Sequence, residues 1–271
     1  MSKIAIVRQA LLDLLREHKA EAMLPTSRQF LYYELIMRGV ISKERTGVRH
    51  PGQIVTDALT QIREDGRIPW DWIVDETRSL DDYSGSLSIK QAVLDYLPYL
   101  RLDVWRGETM LVLTESRSLA GVLRGTAAKY RVQIAATGGQ IAGFLHTEIA
   151  PLLTRAASAR VLYLGDFDLA GNQIGASTRK VLEHKVGPLD WERIALTAEQ
   201  VEQYDLSKII KHDRRYKDGR PHEAVETEAL SQRLIVELLE TKLAALSPEP
   251  LQRVHEREAR QRRAVQRLLS R

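Results

Sequence analysis

The sequence predicts an α/β protein. An N-terminal winged helix-turn-helix domain precedes a larger domain with a mostly parallel sheet flanked by helices. Three observations predict this. Three amphipathic segments and then a short β-like stretch occupy the first 80 residues, the element order of a winged helix. From Thr109 onward, short apolar runs alternate with helical segments, the pattern of a parallel sheet covered on both faces. The third apolar run, Arg160 to Leu164, ends in two carboxylates one residue apart, Asp166 and Asp168.

The elements follow in order. Ile4, Val7, Leu11, Leu14 and Leu15 share one face of a helix over 4–18. Pro25-Thr26-Ser27 offers an N-cap to a second helix over 27–38, closed by Gly39. A third helix spans 52–65 and ends at Asp65-Gly66, and the β-like stretch Arg67 to Val74 follows. A polar segment and a helix near 88–99 lead to the second domain. There Met110 to Leu113, Val132 to Ala136, Arg160 to Leu164 and Arg193 to Leu196 are the strands. Helices are expected over 116–129, up to Ala156, from Gly171 to His184, and over 222–246 and 250–270. The boundaries expected are 1–80 for the winged helix, 81–107 for the connection, 108–246 for the metal domain and 247–271 for a basic helix.

Composition narrows the classes. The chain has 271 residues, of which 44% are hydrophobic and 28% charged, enough for a real core. With no cysteine, disulfides and thiolate metal sites are excluded. No apolar run is long enough for a membrane helix, and the charged N-terminus does not suit a signal peptide, so a cytoplasmic, nucleoid-associated protein is expected. The net charge is +4, and the pI is about 9.2. Residues 251–271 hold seven arginines against two glutamates, either a solvated helix face or an arm that contacts phosphate.

Functional groups of an open parallel sheet collect beyond the carboxyl ends of its strands. Three acids meet that condition: Glu115 after the first strand, and Asp166 and Asp168 after the third. Hard oxygen donors without histidine or cysteine suit Mg²⁺, with Mn²⁺ as a substitute, and a site of that kind typically works on phosphate. The alternative for the two aspartates is structural: Asp166 caps the next helix and Asp168 is exposed.

A glutamate at one strand end, a second strand ending in Thr137-Gly138-Gly139, and then Gly165-Asp166-Phe167-Asp168-Leu169-Ala170-Gly171 resemble the Toprim domain. Within that group the last segment is most similar to the topoisomerase VI A subunit and the meiotic Spo-eleven proteins, although Leu169 stands where the family has proline. The resemblance implies that Asp166 and Asp168 bind Mg²⁺, and that Glu115 either binds it or acts as general acid/base. The family carries its catalytic tyrosine in a winged helix, four residues after an arginine. Arg28 and Tyr32 match that spacing, with Tyr33 adjacent. By resemblance the reaction is transesterification, leaving a 5′-phosphotyrosyl link. Two further segments resemble relatives: Ile68 to Ile73, with Asp75 to Arg78, and Val225 to Leu230. In the latter, Glu226 is either a further acid of the site or a solvated residue at a helix start.

Double-stranded DNA is the expected partner. Lys43, Arg45, Arg49 and Arg63 are the expected DNA-binding residues, in a weakly sequence-selective mode. The family implies a homodimer and a separate ATPase subunit, and this chain has no P-loop motif of its own. Two other readings stand beside this one: a Toprim nuclease that hydrolyses DNA with metal-activated water, and a non-catalytic winged-helix DNA-binding protein.

Overall fold

The computed structural model describes residues 3–42, 50–74, 84–138, 142–156, 158–206, 208–211 and 220–269. Helices α1 (Lys3–Ala20), α2 (Arg28–Met37) and α3 (Pro51–Glu64) come first. Ser27 caps α2 by accepting from Phe30 N–H, and His50 caps α3 through Gly52 N–H. The stretch expected as a strand is a 3-10 turn, Trp70–Trp72, joined to the chain before α2 by one bridge between Thr26 and Ile73. Pro69 cannot donate to a ladder, and Arg63 holds the turn from α3 by donating to the Trp70 carbonyl at 2.9 Å. Among the described residues no two-stranded wing follows α3.

Helix α4 (Ile89–Tyr96) leads to the sheet. Then come β1 (Thr109–Thr114), α5 (Arg117–Tyr130), β2 (Gln133–Ala136), α6 (Ala142–Phe144), a π-turn at Leu145–Ile149, α7 (Ala150–Thr154) and β3 (Ala159–Leu164). Helix α8 (Leu169–Val186), β4 (Asp190–Ala195), α9 (Ala198–Gln203), β5 (Ile209–Lys211), β6 (His222–Ala224), α10 (Gln232–Leu246) and α11 (Leu251–Leu269) complete the chain. The four longer strands form one parallel sheet in the order β2-β1-β3-β4. The helix expected over 222–246 is shorter. Its first part is β6, paired antiparallel with β5, and a 3-10 turn at Thr227–Ala229.

Alternation along the strands divides the core. Met110, Val112, Leu162 and Leu164 point into a cluster that includes Leu119 and Leu123 of α5, Leu239 of α10, and Leu11, Leu35 and Ile62 of the N-terminal helices. Leu111, Leu113, Val161 and Tyr163 point to the opposite face, against Leu153 of α7 and Leu182 of α8. The N-terminal helices therefore close over one sheet face and share its core. Gln232 at the start of α10 donates to the Pro25 carbonyl at 3.1 Å, which fixes the approach to α2.

The chain leaves β1 toward β2 on one side and returns to β3 on the other. The order reverses between β1 and β3, which is where open α/β sheets bind ligands.

Candidate functional site

Glu115 and Asp166 meet at that reversal. Glu115 N–H donates to the Leu164 carbonyl at 2.9 Å, continuing the ladder one residue past β1. Its carboxylate Oε2 accepts from Asp166 N–H at 3.2 Å. Asp166 Oδ1 accepts from the backbone N–H and the hydroxyl of Thr227, at 2.9 and 3.0 Å. Thr227 reaches this point because Phe167 and Val225 exchange backbone hydrogen bonds, pinning the end of the β5–β6 ribbon to the acidic turn. Glu115 Oε1 and Asp166 Oδ2 have no hydrogen-bond partner among the described residues.

Asp168 has a different environment. It is 9% exposed, and its Oδ1 caps α8 by accepting from Gly171 N–H at 2.7 Å. Its Oδ2 accepts from Lys211 Nζ at 2.8 Å. The helix cap is therefore Asp168 rather than Asp166, and Asp168 is buried rather than exposed.

Glycines make this turn fit. A Cβ on Gly171 would lie 2.3 Å from the Asp166 carbonyl oxygen, and one on Gly165 would lie 2.5 Å from the Tyr163 hydroxyl. Gly171→Ala is expected to push the Asp166 backbone away from Glu115 and cost about 1–3 kcal/mol, measured by chemical denaturation. An unchanged midpoint would contradict this account of the turn.

Two more acids close the cavity. Glu115, Asp166, Glu226 and Glu228 line it together with Gln29, Ser116, Ser118 and Gly138, in a volume of about 480 Å³. Glu228 is 5% exposed, and its Oε1 accepts from Ser116 Oγ at 2.8 Å. Burial and the Asp166 charge push its carboxyl up to about 7. Burial, then the Asp166 charge, raises Glu115. Burial, opposed by the Thr227 hydrogen bond, also raises Asp166. Arg193 braces the turn from β4, donating to the Gly165 carbonyl at 2.8 Å and the Asp166 carbonyl at 2.6 Å. Burial lowers the Arg193 pKa.

A larger cavity of about 600 Å³ lies alongside and is lined by Arg28, Tyr32, Tyr33, His50, Gly52 and Ile209, among others. Gln29 and Glu226 line both cavities, so they form the shared wall. Glu226 Oε2 accepts from Gln29 Nε2 at 2.8 Å and from the Tyr33 hydroxyl at 2.9 Å. Burial and Glu226 raise the Tyr33 pKa far above its ordinary value. Tyr32 packs edge-on against Tyr33, and its hydroxyl forms no hydrogen bond among the described residues. Burial and the Glu226 charge raise the Tyr32 pKa as well, opposed by Arg28. The Arg28 guanidinium lies against the start of α3, within 3.3 Å of where a Gly52 Cβ would stand.

The residues named from sequence thus divide. Glu115 and Asp166 come together, and Arg28 and Tyr32 line the neighbouring cavity. Asp168 is committed to a helix cap and an ion pair. Arg63 stacks on Trp70, 4.2 Å from its ring centroid, as well as donating to its carbonyl. Lys43, Arg45 and Arg49 lie outside the described residues. Glu228, Arg193 and Lys211 were not singled out from sequence. An acid set among Ala224, Val225, Ala229 and Leu230 is itself a sign of a buried carboxylate, and that signal marks Glu228.

The donor set bears on a metal. Glu115 and Asp166 offer two free carboxylate oxygens in a cluster whose acids repel one another, which fits one hard divalent cation. Among the described residues no group of three or more acidic, histidine or cysteine side chains is arranged to hold a metal ion. Of the three acids expected from sequence, Glu115 and Asp166 line one cavity, while Asp168 pairs with Lys211 and Gly171 N–H. No helix among the described residues is long and apolar enough to cross a membrane. Comparison with known protein families, curated proteins and solved structures finds no match for this chain.

Proposed function

We propose that this chain cleaves double-stranded DNA with the help of a divalent cation, using Tyr32 as nucleophile, in the manner of the topoisomerase VI A subunit that its sequence resembles. The observation that carries the proposal is the shared wall. Gln29 and Glu226 line both the cavity of Arg28 and Tyr32 and the cavity of Glu115 and Asp166. A phosphodiester at this wall would be within the reach of both groups.

Arg28, whose guanidinium lies against the start of α3, would bind the phosphate, and the positive end of the helix dipole there favours an anion. Tyr32 Oη attacks phosphorus, the bond from phosphorus to the 3′ oxygen breaks, and that oxygen takes a proton from solvent water. The Tyr32 proton passes to Glu226, whose Oε1 has no hydrogen-bond partner among the described residues. Tyr33 and Gln29 hold Glu226 in place for this step. Mg²⁺ bound by Glu115 and Asp166 would neutralise a non-bridging oxygen and stabilise the leaving one.

A hydrolytic reading has one observation in its favour. Burial and Glu226 raise the Tyr32 pKa, which opposes formation of a phenolate. In that reading water replaces Tyr32 and the acids keep their roles.

Supercoiled plasmid incubated with protein and Mg²⁺ or Mn²⁺ tests the shared part of both. Nicked or linear product is expected, reduced about 100-fold or more in Glu115→Gln and in Asp166→Asn. Cleavage unchanged by both substitutions would refute the assignment.

A further inference from the structure

Lys211 stands at the end of β5, on the ribbon pinned to the acidic turn through Phe167 and Val225. Its ammonium is 2.8 Å from Asp168 Oδ2, while Asp168 Oδ1 is held by Gly171 N–H at 2.7 Å. Each oxygen of Asp168 therefore has a partner: one is held by the helix start and the other by the Lys211 ammonium. Glu115 and Asp166 differ, each having one oxygen engaged and one without a partner among the described residues. A lysine ammonium needs no six-fold oxygen shell and competes for the same carboxylate lone pairs as a metal.

We propose that Lys211 is the built-in cation of Asp168, so that a divalent ion at this cluster is held by Glu115 and Asp166 without Asp168. Asp168 is then a positioning residue. It fixes the start of α8 under Asp166 and anchors the ribbon that delivers Thr227 and Glu226. The chain resembles a family in which both aspartates of the Asp-x-Asp segment are metal ligands, and the inference separates their roles here. It rests on the metal reading given above.

The test is direct Mn²⁺ binding, followed by the electron paramagnetic resonance of the free ion and by calorimetry, with no DNA present. Asparagine caps a helix about as well as aspartate, so Asp168→Asn removes the ionic partner while keeping the cap. One Mn²⁺ per chain is expected for the natural sequence. Asp168→Asn is expected to keep the dissociation constant within about threefold, whereas Glu115→Gln and Asp166→Asn weaken it about tenfold or more. Lys211→Met frees Asp168 Oδ2 and is expected to tighten Mn²⁺ about tenfold. That gain should vanish in the double variant Lys211→Met, Asp168→Asn if it comes through the carboxylate rather than from the lost charge alone.

Asp168→Asn that stays folded by circular dichroism, yet loses Mn²⁺ as fully as Asp166→Asn, would overturn the inference and leave the metal reading intact. So would unchanged or weaker binding in Lys211→Met. No Mn²⁺ bound by the natural sequence would overturn both.

Discussion

Tyr32→Phe is expected to abolish covalent protein–DNA product, by about 10³-fold or more, while duplex affinity and fold are retained. The substitution keeps the ring that packs against Tyr33 and deletes one oxygen that bonds to nothing among the described residues. Stability should therefore stay within about 0.5 kcal/mol. Tyr33→Phe should behave differently. Its hydroxyl donates to the Glu226 carboxylate at 2.9 Å, and a hydrogen bond to a charged group contributes about 1.5–3 kcal/mol. That variant should lose stability and form covalent product at a reduced level, because Gln29 still holds Glu226. The pair separates two adjacent tyrosines that the sequence alone leaves interchangeable. Detergent-stopped reactions resolved by gel, beside denaturation curves for both variants, provide the measurement.

Without divalent cation, stability is expected to fall as pH rises from about 4.5 to about 7. Glu228 has an ordinary value of 4.5 and is pushed up to about 7 in the folded chain, by burial first and then by Asp166. Between those values the folded chain holds a proton that the unfolded chain has released. The folded state binds more protons, so its stability decreases with increasing pH. For a fully buried group this difference corresponds to about 3 kcal/mol. Glu115 and Asp166 are raised too and contribute with the same sign. Glu228→Gln should flatten the decline while keeping the Ser116 contact. Thermal unfolding in metal-free buffer across this range tests it. A rising curve, or an equal decline in Glu228→Gln, would contradict the buried-acid account. Added Mg²⁺ should oppose the decline if it binds Glu115 and Asp166.

The sequence revealed the features set by local pattern. Ser27 before an apolar face marks a helix start, and it caps α2. Alternation from Thr109 onward marks the strands, and the four longer ones are parallel. Glu115 and Asp166 could be paired because consecutive strands with right-handed crossovers end on the same edge. Long-range contacts remained hidden. Nothing in the local pattern around Lys211 marks it, and only the antiparallel ribbon carries it to Asp168. Arg193 reads as one more strand residue until β4 lies beside β3 and its guanidinium meets the Gly165 and Asp166 carbonyls. Which aspartate caps α8 is hidden for a similar reason. Either can cap a helix that starts nearby, and the choice follows from Thr227 arriving from 61 residues away to occupy Asp166.

The junction between the N-terminal helices and the sheet carries most of the functional reading. Leu35 and Ile62 share a buried cluster with Val112 and Leu164, and Gln29 of α2 lines the acid cavity. Glu226 draws its partners, Gln29 and Tyr33, from that helix. This is why tyrosines far from Asp166 in sequence line the neighbouring cavity.

Transesterification and hydrolysis differ in which atom ends up bonded to the 5′ phosphate. Plasmid cleaved in Mg²⁺, trapped with detergent, trimmed with nuclease and analysed by peptide mass spectrometry reads that atom. The prediction is a nucleotide mass on the peptide containing Tyr32, with fragmentation placing it on Tyr32 and not on Tyr33. Cleaved DNA with free 5′ phosphates and an unmodified Tyr32 peptide would contradict it, and would assign the acids to hydrolysis.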